Sequence, residues 1–263
     1  MNREDLKTLT AWFVEYSSSF SMPAEEDQRN IVMKQEHTHR VCLNAVRISR
    51  ELGFDDQGIL IAEAIALFHD LGRFPQYRQF RTFNDSTSVN HAALGAKVLL
   101  ENDVLRDLPA RERDLIIRTV TVHNVFSLPD GLDDQHLLFA RLIRDADKLD
   151  ILQVMLGYYG QQEADRPSAV GLGLPDTDGY SADILATLER REMVYLTSMR
   201  TLNDFKLLQL AWLYDLNFAP SLKMVVERDY IGKLADVLPR TPEISRAIGI
   251  VRGYVDRKVR GEK

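Results

Sequence analysis

The stretch Ile65-Ala66-Leu67-Phe68-His69-Asp70-Leu71-Gly72-Arg73-Phe74 places two ionisable side chains at the end of an unbroken apolar run. Apolar residues here recur without the strict alternation of a half-buried strand, so the run reads as a helix. Asp55 or Asp56 can cap that helix, Ile59, Ile61, Ile65, Leu67 and Phe68 fill it, and it ends around Gly72. Working outward, residues 6–20 give a first helix, and Met22-Pro23 interrupts the chain. Asp27 then caps a second helix to about Leu52, with Gly53 as its terminating glycine. After Gly72 a polar loop is expected over 73–89, holding Pro75 and three arginines, followed by helices over 90–104, 109–123 and 134–158. Residues 161–180, with Pro167, Gly171, Gly173, Pro175 and Gly179, read as a linker or lid. Beyond them 183–216, 221–238 and 242–259 are again helical in pattern. The expectation is an all-α protein: a core over 1–160, then a linker or lid and a helical extension over 161–263 packed on the same domain.

Composition narrows the function by exclusion. Hydrophobic residues make up 45% of the 263 positions and charged residues 27%, as in ordinary globular chains. A net charge of −6, from 33 basic and 39 acidic residues, argues against a nucleic-acid polymer as partner. The single cysteine, Cys42, cannot close an intramolecular disulfide, and MNREDLKTLT lacks the apolar core of a signal peptide. No stretch has the run of about 18 apolar residues that a membrane span needs. The cytoplasm is the expected compartment. Without cysteine clusters, a metal site has to come from carboxylates and the six histidines.

Four of those histidines and two aspartates fall on or beside apolar helix faces. Leu43 and Val46 accompany His39, Ile116 and Val120 precede His123, and Ile143 and Ile151 flank Asp147. With His69, Asp70 and His91 they could converge in one interior, where imidazole and carboxylate suit Fe, Mn, Zn, Co or Ni. The bland alternative is open for each: a lone core histidine is usually just hydrogen-bonded, and Asp147 in RDADKLD could lie on a solvated face. His37, two positions from His39, is expected to face away, and His136 to lie on the surface.

The order His39, His69-Asp70 in IALFHDLGRF and Asp147 in RDADKLD resembles the HD-domain metal-dependent phosphohydrolase superfamily, over about residues 28–160. The resemblance implies an HD-domain helical bundle in which His39, His69, Asp70 and Asp147 bind one metal. His91 in NHAALG and His123 in VTVHN are similar to the subset in which two further histidines hold a second metal and Asp70 bridges both. It therefore implies one or two divalent transition metals.

The expected chemistry is hydrolysis of a phosphomonoester or phosphodiester, in a nucleotide or small phosphorylated metabolite, by a hydroxide shared between two metals. Asp70, Lys148 and Arg73 are the expected catalytic residues. Arg73 and Lys148 would also meet the phosphate, with Arg78, Arg81 and Asn124 as further substrate contacts. Asn90 and Asn124 could equally be helix caps. Glu63 could orient a ligand imidazole, although a surface salt bridge is the simpler expectation. Cys42 reads as inert packing. Two rival classes remain: an HD-domain di-iron oxygenase, which the same ligands would serve, and a non-enzymatic metal- or nucleotide-binding module. Trp212 and Tyr214 on the C-terminal helices leave site cover, homodimer contact and core extension open.

Overall fold

A computed structural model describes residues 1–162, 166–167 and 169–262. The chain is all-α: the described residues contain no strand, and no helix among them is long and apolar enough to cross a membrane. Two compact units result, Met1–Asp150 and Ile151–Lys263. They divide inside a helix rather than at the expected residue 160. Of the expected linker or lid over 161–180, residues 163–165 and 168 lie outside the described residues.

The first unit is built around one helix that is apolar on nearly every side. Helix α3 (Asp56–Phe68) starts at Asp55, whose side chain accepts from the Gly58 amide. Beyond Ile61 only Glu63 is not buried. A helix of that kind needs neighbours all round. It receives α1 (Arg3–Ser18), α2 (Glu25–Glu51) and α6 (Ala110–Val122). Helix α1 opens on an Asn2–Asp5 capping box, in which each side chain satisfies a backbone amide of the other. Helix α2 turns a stripe of Asn30, Val41, Asn44, Ala45 and Ile48 inward.

The region expected as a loop over 73–89 is in large part helical, forming α4 (Arg73–Phe80) and a 3-10 turn over Asp85–Thr87. Pro75 misleads because it is the third residue of α4, where its missing N–H costs no intrahelical bond. Then come α5 (His91–Glu101), packed on α6 and α4, and α7 (Asp134–Tyr159), whose first part, to Asp150, belongs to this unit.

The second unit contains α8 (Ala182–Glu189), α9 (Leu202–Ala211), α10 (Ala219–Glu227), α11 (Tyr230–Asp236) and α12 (Pro242–Val259). The single helix expected over 183–216 is thus broken. Arg191 turns left-handed at φ 62°, and Thr201 with Asp204 forms a new capping box that starts α9. Asp204, fully buried, also accepts from the Ser181 amide and hydroxyl, which ties α9 to the start of α8.

Candidate metal centre

Six side chains from five helices converge inside the first unit. His37 comes from the middle of α2, His69 and Asp70 from the turn closing α3, His91 from the first position of α5, His123 from the end of α6, and Asp147 from α7. Around His37 Nε2 lie His69 Nε2 at 3.3 Å, Asp70 Oδ2 at 3.3 Å and Asp147 Oδ1 at 3.2 Å. Around Asp70 Oδ1 lie His91 Nε2 at 3.2 Å and His123 Nε2 at 3.8 Å, with the two imidazoles 3.0 Å apart. Donors bound at about 2.1 Å to one ion sit about 3.0–3.4 Å from each other; the shorter separations here fall in that range, and the longest, 3.6–3.8 Å, are within a few tenths of an ångström of it. Asp70 offers one oxygen to each group.

The hydrogen bonds on the far side of each ring sharpen this. His69 Nδ1 donates to the Ala66 carbonyl and His123 Nδ1 to the Val120 carbonyl, each at 2.7 Å. His37 Nδ1 donates to Asp150 and His91 Nδ1 to Asp85, also at 2.7 Å. A carbonyl or carboxylate can only accept, so all four rings carry a proton on Nδ1 and aim Nε2 inward. The Nε2 atoms of His37 and His69 then face each other at 3.3 Å, and those of His91 and His123 at 3.0 Å. Asp147 Oδ1 is buried, and among the described residues its nearest cationic or donor neighbour is His37 Nε2, at 3.2 Å.

The electrostatics follow. At His37, burial and Lys34 oppose a second ring proton, but hydrogen bonds to Asp147, Asp150 and Asp70 overcome them and push the pKa up to about 10. At His123, burial and the neighbouring His91 and His69 push it down to about 3. Burial alone would raise the Asp70 carboxyl, yet Lys34, His69 and Arg73 hold it well below the usual carboxylate range. The pocket attracts positive charge and presents unpaired N and O donors to it, and such a set fits a transition-metal ion.

The position of His39 is a correction. It is exposed, and so is its presumed companion Leu43, at 58%. His37 takes its place because it lies four and eleven positions before Val41 and Ile48, both fully buried. His136 is not a surface residue either: it is buried, with Nδ1 2.8 Å from Asp133 and Nε2 3.2 Å from Asp114.

Among the expected substrate contacts, Arg73 is engaged on all sides, with Asp85 at 2.8 Å, Asp70 Oδ1 at 3.3 Å, Gln76 at 2.9 Å and the Phe83 carbonyl at 2.5 Å. Lys148 is buried beside Asp147 on α7. Asn124 donates to Asp85 at 3.0 Å and so steadies the carboxylate that holds His91. Asn90 caps α5. Arg78 and Arg81 are corrections. Arg78 stacks on Phe20 at 4.0 Å and bonds the Ser19 carbonyl, while Arg81 pairs with Asp27 at 3.0 Å, so both serve the junction between α1, α2 and α4. Glu63 lines a cavity with His39 and orients none of the four inward-facing imidazoles.

Lys34, Asp85 and Asp150 escape the sequence reading. Lys34 Nζ is 2.6 Å from Asp70 Oδ2, one helical turn before His37, and 5.3 Å from the Phe83 ring centre. Asp150, one turn after Asp147, also accepts from Arg40 at 2.6 Å. Both turn-spaced relations were available in the sequence. Asp85 lies in an irregular connection, where no periodicity marks it.

Residues 35–152 match the family model of the HD domain, a range that encloses all six converging side chains. No curated protein and no solved structure gives a significant match.

Proposed function

Residues 35–152 are an HD domain, and on that premise we propose that the chain is a metal-dependent phosphohydrolase acting on a phosphomonoester or phosphodiester in a nucleotide or small metabolite. The observation that carries the reading is Asp70, whose two oxygens face separate donor groups: His37, His69 and Asp147 on one side, His91 and His123 on the other. His37, His69, Asp70 and Asp147 would hold one divalent ion, and Asp70, His91 and His123 a second. Bound there, such ions supply Lewis acidity towards phosphoryl oxygens and make water a competent nucleophile near neutral pH.

The protein's own groups do the rest. Arg73, clamped by Asp85 and Gln76, presents a fixed guanidinium charge next to Asp70. Lys34 reaches Asp70 on a flexible stem, so its ammonium is the cation best able to follow a phosphoryl oxygen as charge moves onto it. Lys148, next to Asp147 in sequence on α7, is buried. Two cations, Lys34 and Arg73, beside a carboxylate-rich cluster favour an anionic substrate, which supports hydrolysis of phosphate esters over dioxygen chemistry on an uncharged one.

The test is metal analysis of protein purified without chelator, followed by a panel of aryl phosphates, aryl phosphodiesters and nucleotides with Mn²⁺, Fe²⁺, Zn²⁺, Co²⁺ and Ni²⁺. Asp70→Ala should lose metal and activity together. Unchanged turnover in Asp70→Ala, or oxygen uptake by the iron-loaded protein without phosphate release, would overturn the proposal.

A further inference from the structure

A second site is suggested by a partly open cavity of about 330 Å³ between α1, α2 and α3, lined from a face of α2 other than the one that carries His37. Leu6, Phe13 and Leu67 give it apolar walls, and Gln35, Thr38 and Glu63 give it polar ones. Its volume is at the lower end of the roughly 300–1,000 Å³ usual for small-molecule sites, and the lining has their mixture of apolar surface with a few polar groups.

Two of those polar groups lack a partner. Thr38 is 1% exposed, and its hydroxyl, a buried atom, makes no hydrogen bond. Helical threonines commonly return this group to the carbonyl one turn back. Glu63 is half-buried, and among the described residues its carboxyl makes neither a hydrogen bond nor an ion pair, although Arg50 and His39 are near enough to be felt. Burial pushes that carboxyl above the usual range. Packing alone does not account for the Thr38 hydroxyl, a buried group whose desolvation nothing offsets, and the half-buried Glu63 carboxyl beside it is free to take a partner.

We propose that this cavity binds a small apolar primary amine, with its ammonium on Glu63, its hydrocarbon body against Leu6, Phe13 and Leu67, and the Thr38 hydroxyl as a further polar contact. The charge decides the class. Glu63 is the one acidic group in the lining, so the cavity disfavours the anionic molecules that the metal centre favours. Cys42, also in the lining, is kept a neutral thiol by burial and adds only apolar surface. The site is independent of the hydrolase reading, since it shares no residue with the metal cluster.

The probe is 2-phenylethylamine, with 2-phenylethanol as its uncharged counterpart. Each is titrated into the full ¹⁵N-labelled chain while amide shifts are followed. Saturable shifts centred on Thr38 and Leu67 are expected, with the amine bound about tenfold tighter than the alcohol, a difference that Glu63→Gln should abolish. Val14→Trp, which fills the cavity from a lining position 56% exposed, should block both ligands while circular dichroism stays native. Equal affinity for amine and alcohol, amine binding unchanged in Glu63→Gln or in Val14→Trp, or no saturable shift in the unmodified protein would each overturn the proposal.

Discussion

His37 and His39 are two positions apart on one helix, and only His37 reaches the cluster. Reading α2 from Leu43 and Val46 selects His39, whereas reading it backwards from Val41, Ala45 and Ile48 selects His37. The sequence thus held the answer, but two apolar residues outside the core masked the true stripe. His37→Ala should therefore lower the bound metal measured by plasma mass spectrometry, while His39→Ala leaves it at the unmodified level. Asp150 holds His37 through Nδ1 and is itself held by Arg40. Asp150→Asn should weaken metal binding about 10–100-fold in chelator competition, with all six inward-facing side chains unchanged. The role of Asp85 could not be read in advance, because it depends on contacts made only once the 3-10 turn has folded against α4 and α5.

At the scale of elements, the turn between α3 and α4 depends on two glycines. A Cβ on Gly72 would lie 2.1 Å from the His91 carbonyl oxygen and 2.6 Å from the Gly95 amide, both on α5. Those are backbone atoms that no rotamer change can move aside. Gly72→Ala should destabilise the fold by about 1–3 kcal/mol in denaturant unfolding. It should also displace His91, so that metal analysis loses the ion held with His123 before the one held with His37. Most helices were legible from the spacing of their apolar residues, and α12 begins and ends where its sequence pattern does. The exceptions have physical causes. Helix α4 hides behind a proline that its first turn tolerates, and the break between α8 and α9 is set by a buried aspartate whose partners are distant in sequence.

For the whole molecule, the opposed shifts of His37 and His123 give the metal-free protein a defined pH response. The His37 contribution is complete below about pH 6.5 and is lost as pH rises through about 10. The His123 contribution is complete above about pH 6.5 and is lost as pH falls through about 3, joined on the acid side by the lowered carboxyls of Asp70 and Asp147. Calorimetry of chelated protein should find Tm highest near neutrality. Adding divalent metal should raise Tm more at about pH 9 than at about pH 6.5, because an ion bound through His37 Nε2 has to displace the second ring proton, and that displacement costs less as pH approaches about 10. The four imidazoles add a consequence for how such a centre can change over generations. In each donor group one ring is fixed by a helix carbonyl, which no substitution can delete, and the other by a carboxylate, Asp150 or Asp85, which a single codon change can neutralise. On the proposed two-ion reading, each half of the centre would thus combine a constant ligand with an adjustable one, and metal preference could drift separately in the two halves while every ligand stays in place.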